Sequence, residues 1–524
     1  MNVSDERTRS VWMDTEVAPK AASLDQDITA DTVVIGSGIA GLSVAYELTA
    51  RGQSVVVLDR GPIGFGMTAR TTAHLSSLCD DSFDKLINVR GLDVAKQFYQ
   101  SQAASIDRIE QIQASDGIDC DFRRLDGYLF PALGTDPSQL DSALESSRKV
   151  GMEVEPCKGL PFDGLGDMRC LRYARQGTFH PLKYLRGLAR AIEQRNGRLH
   201  AHTCVREVEE KDGRVVVTTT AGHAVHAAAA VVATNAPIND RLAIHSKQAP
   251  YRTYAMAFRI PRGALGDALY WDNLDDYHYV RLQPGTEASD YLIVGGEDHK
   301  SGEADDAEIR FAGLEAWMRN LLPQLGKETH RWSGQVMNPV DFMGFTGRNP
   351  GNEHVYVHTG DSGQGITHGV VASLILSGLI IDGRNPWAEA YDPSRKPVKA
   401  ASQFVSENMT TLKNFAEYVA PGEIKSLDEL KPGCGAIIRD GLKKIAAFRD
   451  ENGKIFLRSA ACTHLGCHVH WNSLERCWDC PCHGSHFAVD GSVLNGPAIA
   501  PLAEVEALSS ATSAGAARTR RANR

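Results

Sequence analysis

The chain has 524 residues, of which 42% are hydrophobic, and a formal net charge of −9. This length and composition allow several hydrophobic cores, and the negative charge argues against nucleic acid or an anionic membrane as a partner. No run of about eighteen apolar residues occurs, so no transmembrane segment is predicted.

The N-terminus and the cysteines predict where the protein is located. Residues 1–28 form a polar lead-in with no basic-then-apolar leader, so no secretion signal is predicted. Five of the eleven cysteines lie within residues 462–482, and the others are scattered. Scattered cysteines are typical of a reducing compartment. We therefore predict a cytoplasmic protein.

A glycine-rich turn between two short apolar runs is the first strong signal. The β-branched run Thr32–Ile35 predicts a buried strand, and it continues through Gly36-Ser37-Gly38-Ile39-Ala40-Gly41 into a helical pattern from Leu42 to Leu48. A second apolar run, Val55–Leu58, ends at Asp59. Strand, glycine turn, helix, strand and acid form the dinucleotide-binding pattern. A glycine-rich turn in an unrelated α/β domain is the alternative.

Each part of this pattern has a physical role in binding a dinucleotide. Gly36 permits a tight turn, Gly38 lets the backbone approach a pyrophosphate, and Gly41 lets the helix pack close to the strand. The helix N-terminus binds the phosphates, and the acid accepts a hydrogen bond from a ribose hydroxyl. The predicted cofactor-binding positions are Gly36, Gly38, Ile39, Ala40, Gly41 and Asp59.

A second glycine turn, late in the chain, indicates which dinucleotide is bound. No second GxGxxG lies in a strand–helix context, and residues 60–78 contain no cysteine, which disfavours flavin enzymes of the disulfide-reductase type. Instead, Tyr356–Thr367 is predicted to form a strand, a glycine turn and a helix. Such a segment can return to the first domain and close over a flavin. The positions predicted to contact the cofactor here are Gly360, Asp361, Gly365, Ile366 and Thr367.

These segments resemble the D-amino-acid oxidase and glycine oxidase family of FAD enzymes. The resemblance also includes Gln176–Pro181, Ala230–Asn235 and Trp332–Gly334, and it covers most of residues 29–395. It implies FAD as the cofactor and an α/β Rossmann-like domain with an interleaved antiparallel sheet on the substrate side. It also implies oxidation of a carbon–nitrogen bond in a small amine or amino acid.

The resemblance implies further contacts with the flavin. Val205, on a strand within Thr203–Val208, is expected to bind the adenine through backbone hydrogen bonds. The loop beyond the second strand and the end of a later strand are expected to approach the cofactor, and they contribute Thr71, Thr72, His74, Thr234 and Asn235. Two alternatives stay open: His74 also fits a loop histidine packed against Leu75, and Asn235 also fits a simple turn former.

Substrate recognition is predicted on the strand Pro250–Tyr254. Members of the family bind the substrate carboxylate with a cation and usually need no acid/base residue, because the amine is oxidised as the free base. Arg252 is the candidate cation, with Tyr254 as a weaker companion. Together with His74 they form the predicted catalytic set. An ordinary surface or ion-paired arginine is the alternative for Arg252.

Near the C-terminus, two short motifs supply thiolate and imidazole ligands. Cys462-Thr463-His464 is followed by Cys480-Pro481-Cys482-His483. Two cysteines and two histidines are the ligands of a [2Fe–2S] centre in which histidines replace two cysteines on one iron. A zinc knuckle uses the same four ligands. Zinc needs only these four, whereas Cys467 and Cys482 lie inside the motifs as well.

This segment resembles the Rieske domains of cytochrome bc complexes over roughly ninety residues. The resemblance implies a set of metal ligands: Cys462 and Cys480 for the buried iron, and His464 and His483 for the outer one. It also implies a disulfide bond between Cys467 and Cys482 that ties the two cluster loops together.

Further positions affect the predicted cluster. Gly496-Pro497-Ala498 resembles the proline loop that covers it, and Ser485 matches the serine whose hydroxyl donates to a cluster sulfur. High-potential members carry a tyrosine two residues after that serine, but this chain has Phe487. Without that hydroxyl the sulfur keeps more negative charge, so a lower potential is implied. Cys477 lies outside the pattern and is predicted to be a free or partly buried thiol.

These signals divide the chain into five parts. Residues 1–28 are the polar lead-in, 29–395 the FAD-dependent oxidoreductase and 396–419 a linker helix. Residues 420–506 are a small all-β Rieske domain, and 507–524 a tail rich in Ala, Ser, Thr and Arg that is predicted to be disordered.

The combination of cofactors predicts the chemistry. A flavin takes two electrons and a Rieske centre carries one, so the fusion suits a dehydrogenase that oxidises a small amine or amino acid and exports electrons singly, to a protein or a quinone. Two alternatives stay open: the cluster feeds the flavin for a monooxygenase or reductase reaction, or the Rieske module is a docking domain without redox turnover. A Rieske oxygenase is disfavoured, because too few residues follow His483 to form a domain with a catalytic iron.

Overall fold

The computed structural model describes residues 2–132, 134–162, 164–239, 244–274, 277–396, 398–400, 403–404, 407–409, 414 and 420–506. Most of the predicted linker helix, residues 396–419, and the whole predicted tail, residues 507–524, lie outside these ranges.

The first sheet is built around the predicted glycine turn. In the described ranges it has eight strands: β1 (Ile28–Ile35), β2 (Val55–Leu58), β7 (Arg198–His200), β8 (Val205–Lys211), β9 (Arg214–Thr219), β10 (Ala224–Val232), β16 (Phe345–Arg348) and β17 (Val355–Thr359). The main path runs β16-β17-β10-β1-β2-β7, and all of these neighbours are parallel except β16 and β17. The predicted strands therefore lie in the middle of a parallel sheet, and this burial on both faces explains their continuous apolar sequences.

Helices pack against this sheet and one another, namely α1 (Ile39–Ala50), α3 (Leu92–Ser115), α5 (Pro181–Gln194) and α7 (Gly365–Asp382). Helix α1 contacts both α5 and α7, and α3 contacts α7. Gly369 allows the close approach of α7 to α1, because a Cβ atom there would lie 2.8 Å from Cγ2 of Ile39.

By length and composition alone, α7 is apolar enough to cross a membrane. However, 67% of it is buried within the protein. A helix that is apolar on all sides is equally typical of a large protein core, so α7 is only a weak indication of membrane insertion.

The second large sheet is mostly antiparallel, and its strands alternate along the chain with those of the first. In the described ranges it has nine strands: β3 (His74–Leu75), β4 (Arg123–Phe130), β5 (Val154–Lys158), β6 (Arg169–Thr178), β11 (Gln248–Pro261), β12 (Leu269–Asp272), β13 (Tyr279–Thr286), β14 (Ser289–Lys300) and β15 (Glu328–Pro339). The order is β15-β11-β14-β13-β12-β4-β6-β3, with β5 beside β6. This arrangement confirms the predicted α/β fold with an interleaved antiparallel sheet.

The remaining helices are shorter or lie at the edges: α2 (Phe83–Arg90), α4 (Leu140–Lys149), α6 (Ala307–Leu321) and α8 (Ala388–Tyr391). Single turns of 3-10 helix occur at Val3–Asp5, Met67–Arg70, Pro137–Gln139, His245–Lys247, Val398–Ala400 and Leu427–Glu429.

The C-terminal module consists of two small antiparallel sheets. The first contains β18 (Gly435–Asp440), β19 (Lys443–Arg449) and β20 (Ile455–Ser459), and the second contains β21 (His470–Asn472), β22 (Cys477–Asp479), β23 (His486–Ala488) and β24 (Val493–Asn495). Trp478 and Phe487, both fully buried, face each other across β22 and β23. The predicted small all-β module is thus confirmed.

Residues 2–24 pack into the protein, a role that their polar composition did not reveal. Trp12 is 1% exposed, and its indole nitrogen donates to the carbonyl of Thr71 at 2.7 Å. The backbone amide of Thr8 donates to Glu475 of the C-terminal module at 2.9 Å. The N-terminal segment therefore connects both modules instead of leading into the first.

Candidate functional site

A cavity of about 730 Å³ is lined by residues of both large sheets. Nearly all of the predicted cofactor-binding positions line it: Gly36, Gly38, Ile39, Ala40, Asp59, Thr71, Thr72, Val205, Thr234, Gly360, Asp361, Gly365, Ile366 and Thr367. Gly41 is absent from the cavity wall because it lies behind the turn, against the strand. The fold therefore brings segments from four distant parts of the chain around one space that a dinucleotide can occupy.

The glycine turn has room only for hydrogen at two positions. Gly36 has a φ of +99°, and a Cβ atom there would lie 2.3 Å from the carbonyl oxygen of Ala233. A Cβ atom on Gly41 would lie 1.8 Å from the carbonyl oxygen of Gly36. Because the N-cap of α1 is Gly38, which has no side chain to bond the helix amides, the N-terminus of this helix suits a phosphate.

Asp59 is held at the end of β2 by short hydrogen bonds. One oxygen accepts from the backbone amide of Ser37 at 2.8 Å and from its hydroxyl at 2.6 Å, and the other accepts from the amide of Gly61 at 2.9 Å. Burial raises the pKa of Asp59, and these hydrogen bonds oppose that shift. The carboxylate is therefore orientated at the cavity wall, as a ribose contact requires.

His74 also lines the cavity, at the start of β3. Its Nδ1 lies 3.2 Å from Oγ1 of Thr72, and its ring contacts that of Tyr279 edge-on. Burial, helped by the positive charge of Arg281, lowers the pKa of His74 to about 3. The ring is thus neutral near pH 7. The predicted catalytic role of His74 would therefore be that of a neutral imidazole.

The structure corrects the prediction for Arg252 and Tyr254. Side chains alternate along β11, and Tyr251, Thr253 and Ala255 line the cavity, whereas Arg252 and Tyr254 face the other side. Arg252 is 1% exposed and pairs with Asp479 of the C-terminal module at 2.8 Å. The ion-paired alternative is therefore right, and Arg252 cannot reach a substrate carboxylate in the cavity.

Acidic side chains on the cavity wall were missed by the sequence analysis. They are Asp80, Asp81, Asp84, Asp272 and Asp298, and they lie on the same cavity wall as the predicted Asp361. The hydroxyl of Tyr277 donates to Asp80 at 2.7 Å. The surrounding protein and the charge of Asp81 raise the pKa of Asp80 well above its usual range, and burial raises the pKa of Asp361 to about 6. Among these residues, only the adjacent pair Asp80-Asp81 forms a pattern that could have been noticed in the sequence.

The two predicted cluster loops lie side by side in the C-terminal module. A disulfide bond joins Cys467 and Cys482, as the resemblance implied. The structure also pairs Cys157 on β5 with Cys170 on β6, which the scattered pattern of cysteines did not predict. The buried thiol of Cys477 has a raised pKa, chiefly from desolvation, in agreement with an unreactive thiol.

The ligand atoms fit a [2Fe–2S] cluster. The thiol of Cys480 and the backbone amides of His464 and Leu465 donate to the sulfur of Cys462, and they lower the pKa of Cys462 to about 7 against the opposing effect of burial. Burial lowers the pKa of His483, so its ring is neutral, and its Nδ1 is buried with no hydrogen-bond partner in the described part of the chain. Amide donors aimed at thiolates and a free imidazole nitrogen are what such a cluster needs. Because Cys467 and Cys482 are paired, neither is needed as a ligand.

Phe487 provides a test of how this site sets the cluster potential. The side chain of Ser485 bonds both Cys462 and the backbone amide of Ala498, but Phe487 is fully buried and offers no donor. We expect a potential in the lower half of the Rieske range of about −150 to +300 mV. A hydrogen bond worth about 1 kcal/mol corresponds to about 40 mV, so Phe487→Tyr should raise the potential by about that amount.

Protein-film voltammetry measures this change directly. Phe456→Tyr is the matched control, because it adds the same hydroxyl on β20 of the first small sheet, outside the two cluster loops. No rise in Phe487→Tyr, or an equal rise in the control, would show that position 487 does not act on a cluster sulfur.

A network of buried charges joins the two modules. This interface network consists of Glu6, Arg70, Arg252, Glu475, Asp479 and His486. Arg70 lies 3.1 Å from Glu475 and 3.4 Å from Glu6, and Nδ1 of His486 lies 2.8 Å from Glu6. All of these side chains are at most 2% exposed. A charge buried this deeply is tolerated only with a partner, so the modules are docked in one orientation.

The histidine side of the cluster site faces the FAD-binding part of the chain. The ring of His245 lies 4.9 Å from that of His464 and 5.6 Å from that of His483, centroid to centroid. Nε2 of His245 donates to the carbonyl of Pro237 at 3.0 Å, in the loop that follows Thr234. Leu494, Asn495 and Gly496, beside the predicted proline loop, line the same cavity as the glycine turn.

Comparison with known proteins agrees with this two-part architecture. Residues 31–379 match the model of the FAD dependent oxidoreductase family DAO, and residues 422–506 match that of the Rieske [2Fe-2S] domain. The chain belongs to the DAO family of FAD-dependent oxidoreductases. It therefore binds FAD and a Rieske [2Fe–2S] cluster, as the sequence predicted.

Individual relatives share either the whole architecture or its first part. The Rieske 2Fe-2S iron-sulfur protein YhfW of Bacillus subtilis is 30% identical over 96% of this chain and 98% of its own length. Gamma-glutamylputrescine oxidoreductase of Escherichia coli is 27% identical over 67% of this chain and 83% of its own length. The structure of glycine oxidase from Geobacillus kaustophilus superposes with a TM-score of 0.60 at 17% identity, over 70% of this chain and 99% of that one.

Proposed function

We propose that this enzyme oxidises a small cationic amine and passes the electrons one at a time from the flavin site to the Rieske cluster. The observation that carries the proposal is the contact of both ligand histidines with His245, in an interface held by buried ion pairs. FAD supplies two-electron oxidation of the substrate, and the cluster supplies a one-electron carrier. The family match supports chemistry on a CH–NH group.

The charge of the cavity favours an amine over an amino acid. Seven aspartates contribute to its lining, whereas its described lysines and arginines are Arg60, Arg70 and Lys85. Arg70 is buried in the interface network, Arg60 donates to the carbonyl of Val493, and Lys85 is exposed on α2. No described arginine is therefore placed to bind a substrate carboxylate. A substrate ammonium group, by contrast, could donate hydrogen bonds to several carboxyl oxygens. A likeness to gamma-glutamylputrescine oxidoreductase is in keeping with this charge.

One side of the cluster site stays near the surface, which supports an external one-electron acceptor. Thr463 and Ala500 are exposed, His464 is half-buried, and Ile499 is 38% exposed. Because the other side of the cluster site lies against His245, electrons can enter the cluster from the flavin site and leave through this exposed patch. A carrier protein or a quinone would both have access there.

Anaerobic mixing with substrates tests the function. Diamines, monoamines and amino acids are each mixed with the oxidised holoenzyme, and absorbance is followed at flavin and cluster wavelengths. Amines should bleach the flavin first, and the cluster should follow. Reduction by amino acids alone would contradict the substrate class, and cluster reduction before flavin reduction would favour the reversed flow.

Asp80→Asn should weaken substrate binding more than chemistry. The amide preserves the size and can still accept from Tyr277, but unlike the carboxyl group it cannot ionise to pair with a substrate ammonium group. A hydrogen bond to a charged group is worth about 1.5–3 kcal/mol, so KM for an amine should rise about tenfold or more, with a smaller change in kcat. Steady-state kinetics with the best amine measure this effect. Asp93→Asn, on the exposed face of α3, is the control, and equal KM values in all three proteins would contradict a role for Asp80.

A further inference from the structure

We propose that Gln335 is the positioning residue that couples the flavin cavity to the cluster for electron transfer. This inference rests on the flavin-to-cluster transfer proposed above. In each step one electron leaves the reduced flavin, the cluster is reduced by one, and a one-electron acceptor reoxidises the cluster before the second electron follows. Protons from the flavin go to solvent.

Gln335 lies between the two sites: it belongs to the cavity wall, and its side chain, on the same face of the sheet as that of its strand partner Arg252, reaches the Rieske module. It lies on β15, is 2% exposed and lines the cavity. Its Nε2 donates to the carbonyl oxygen of Gly484 at 3.1 Å. Gly484 directly follows His483, a ligand of the outer iron. One hydrogen bond therefore connects a residue of the cavity wall to the backbone of the residue that follows a predicted cluster ligand.

The fit between Gln335 and the cluster loop depends on the glycine. Gly484 has a φ of +79°, and a Cβ atom there would lie 2.2 Å from Nε2 of Gln335 and 2.8 Å from Cβ of Pro250. A side chain at position 484 would push the loop away from β15. The loop is thus shaped to bring its backbone against this amide.

Other contacts across the interface are less direct routes. Arg252 reaches Asp479 but does not line the cavity. The ring of His245 meets those of the two predicted ligand histidines edge-on, and its hydrogen bond to the carbonyl of Pro237 lies next to Ile238 of the cavity wall. Because electrons tunnel more readily along bonded and hydrogen-bonded atoms than across gaps, the path through Gln335 is favoured.

The side-chain amide of Gln335 uses its donor but not its acceptor. Its Oε1 is buried and has no hydrogen-bond partner in the described residues. A buried amide that satisfies only its donor side is costly and is kept where that donor matters. Its donor bonds a carbonyl, not a cluster sulfur, so its loss should change the coupling and leave the cluster potential unchanged.

Flash reduction of the flavin tests this coupling without any substrate. A photochemical donor reduces the flavin of the holoenzyme by one electron, and the decay of that signal is followed together with cluster reduction. Gln335→Met fills similar space without a donor. We expect the rate of electron transfer to fall by about tenfold. This is the lower end of the effect that losing a hydrogen bond around a metal site has on activity. Cluster and flavin potentials and the cluster electron paramagnetic resonance spectrum should match the wild type.

Arg331→Gln is the control, because Arg331 lies four residues earlier on β15 and pairs with Glu308 and Glu328 instead of the Rieske module. It should leave the transfer rate unchanged. If the Gln335→Met protein does not retain its cluster, the Gln335→Glu variant is measured in its place. Its carboxylate cannot donate a hydrogen bond. A wild-type rate in the Gln335 variant, or an equal loss in Arg331→Gln, would overturn the proposal. Failure of the proposed function would appear differently, as no transfer in any of the proteins, including the wild type.

Discussion

Replacing His483 with alanine is expected to abolish turnover with one-electron acceptors while substrate still bleaches the flavin. The variant loses a predicted ligand of the outer iron, so the cluster should not assemble. Turnover should fall by more than the roughly 100-fold that loss of an outer-shell partner can cost. The cavity residues predicted to bind FAD and the substrate belong to other elements, so they should stay in place. Iron and acid-labile sulfide assays, anaerobic reduction and acceptor turnover measure the three effects.

His470→Gln is the control, because it changes a half-buried histidine of the same module that is not a predicted ligand. Direct reaction of the reduced flavin with oxygen can persist as a side path in both variants. If His483→Ala is folded and FAD-loaded but substrate no longer reduces its flavin, the cluster lies upstream. Unchanged turnover without the cluster would favour a docking role, and zinc without iron or sulfide in the wild type would refute the cluster itself.

Arg252→Met should undock the two modules at a large cost in stability. The guanidinium is buried beside Asp479, Ser333 and His486, and its removal leaves Asp479 with an uncompensated charge. Breaking one side of a buried ion pair costs about 3–5 kcal/mol. Urea denaturation, followed by flavin fluorescence and by the circular dichroism of the cluster, measures the loss. Arg262→Met is the control, because Arg262 is 50% exposed in its pair with Asp290 and should cost at most about 1 kcal/mol.

The pH dependence of docking provides a second readout for this interface. Burial alone would raise the pKa of Glu475, but the charges of Arg70 and Arg252 lower it overall. A carboxyl group with a lowered pKa contributes its stability fully above its unfolded value of about 4, and this contribution is lost as the pH falls through the folded value. The midpoint of denaturation should therefore decrease as the pH falls below about 4. Equal stability of Arg252→Met and the wild type at pH 7 would contradict the role of the network.

Features encoded by neighbouring residues could be predicted from the sequence. The glycine turn, the strands beside it and the acid at Asp59 follow from a continuous pattern whose backbone chemistry permits few alternatives. Cys462, His464, Cys480 and His483 lie within two short loops, and their predicted roles as ligands followed from the family resemblance. The disulfide between Cys467 and Cys482 followed from the family resemblance. In each case the physical constraint acts over a few residues.

The tertiary structure alone decided which face of each strand meets the cavity and what covers the other face. Strand alternation put Arg252 on one side of β11, but only packing shows that the Rieske module, not substrate, lies there. Asp80, Asp298 and Asp361 are far apart in the chain, and the fold brings them to one wall. Trp12 is buried although its neighbours in sequence are polar, because it packs into the hydrophobic core of the FAD-binding module. These contacts depend on long-range packing and desolvation, which no local pattern of residues records.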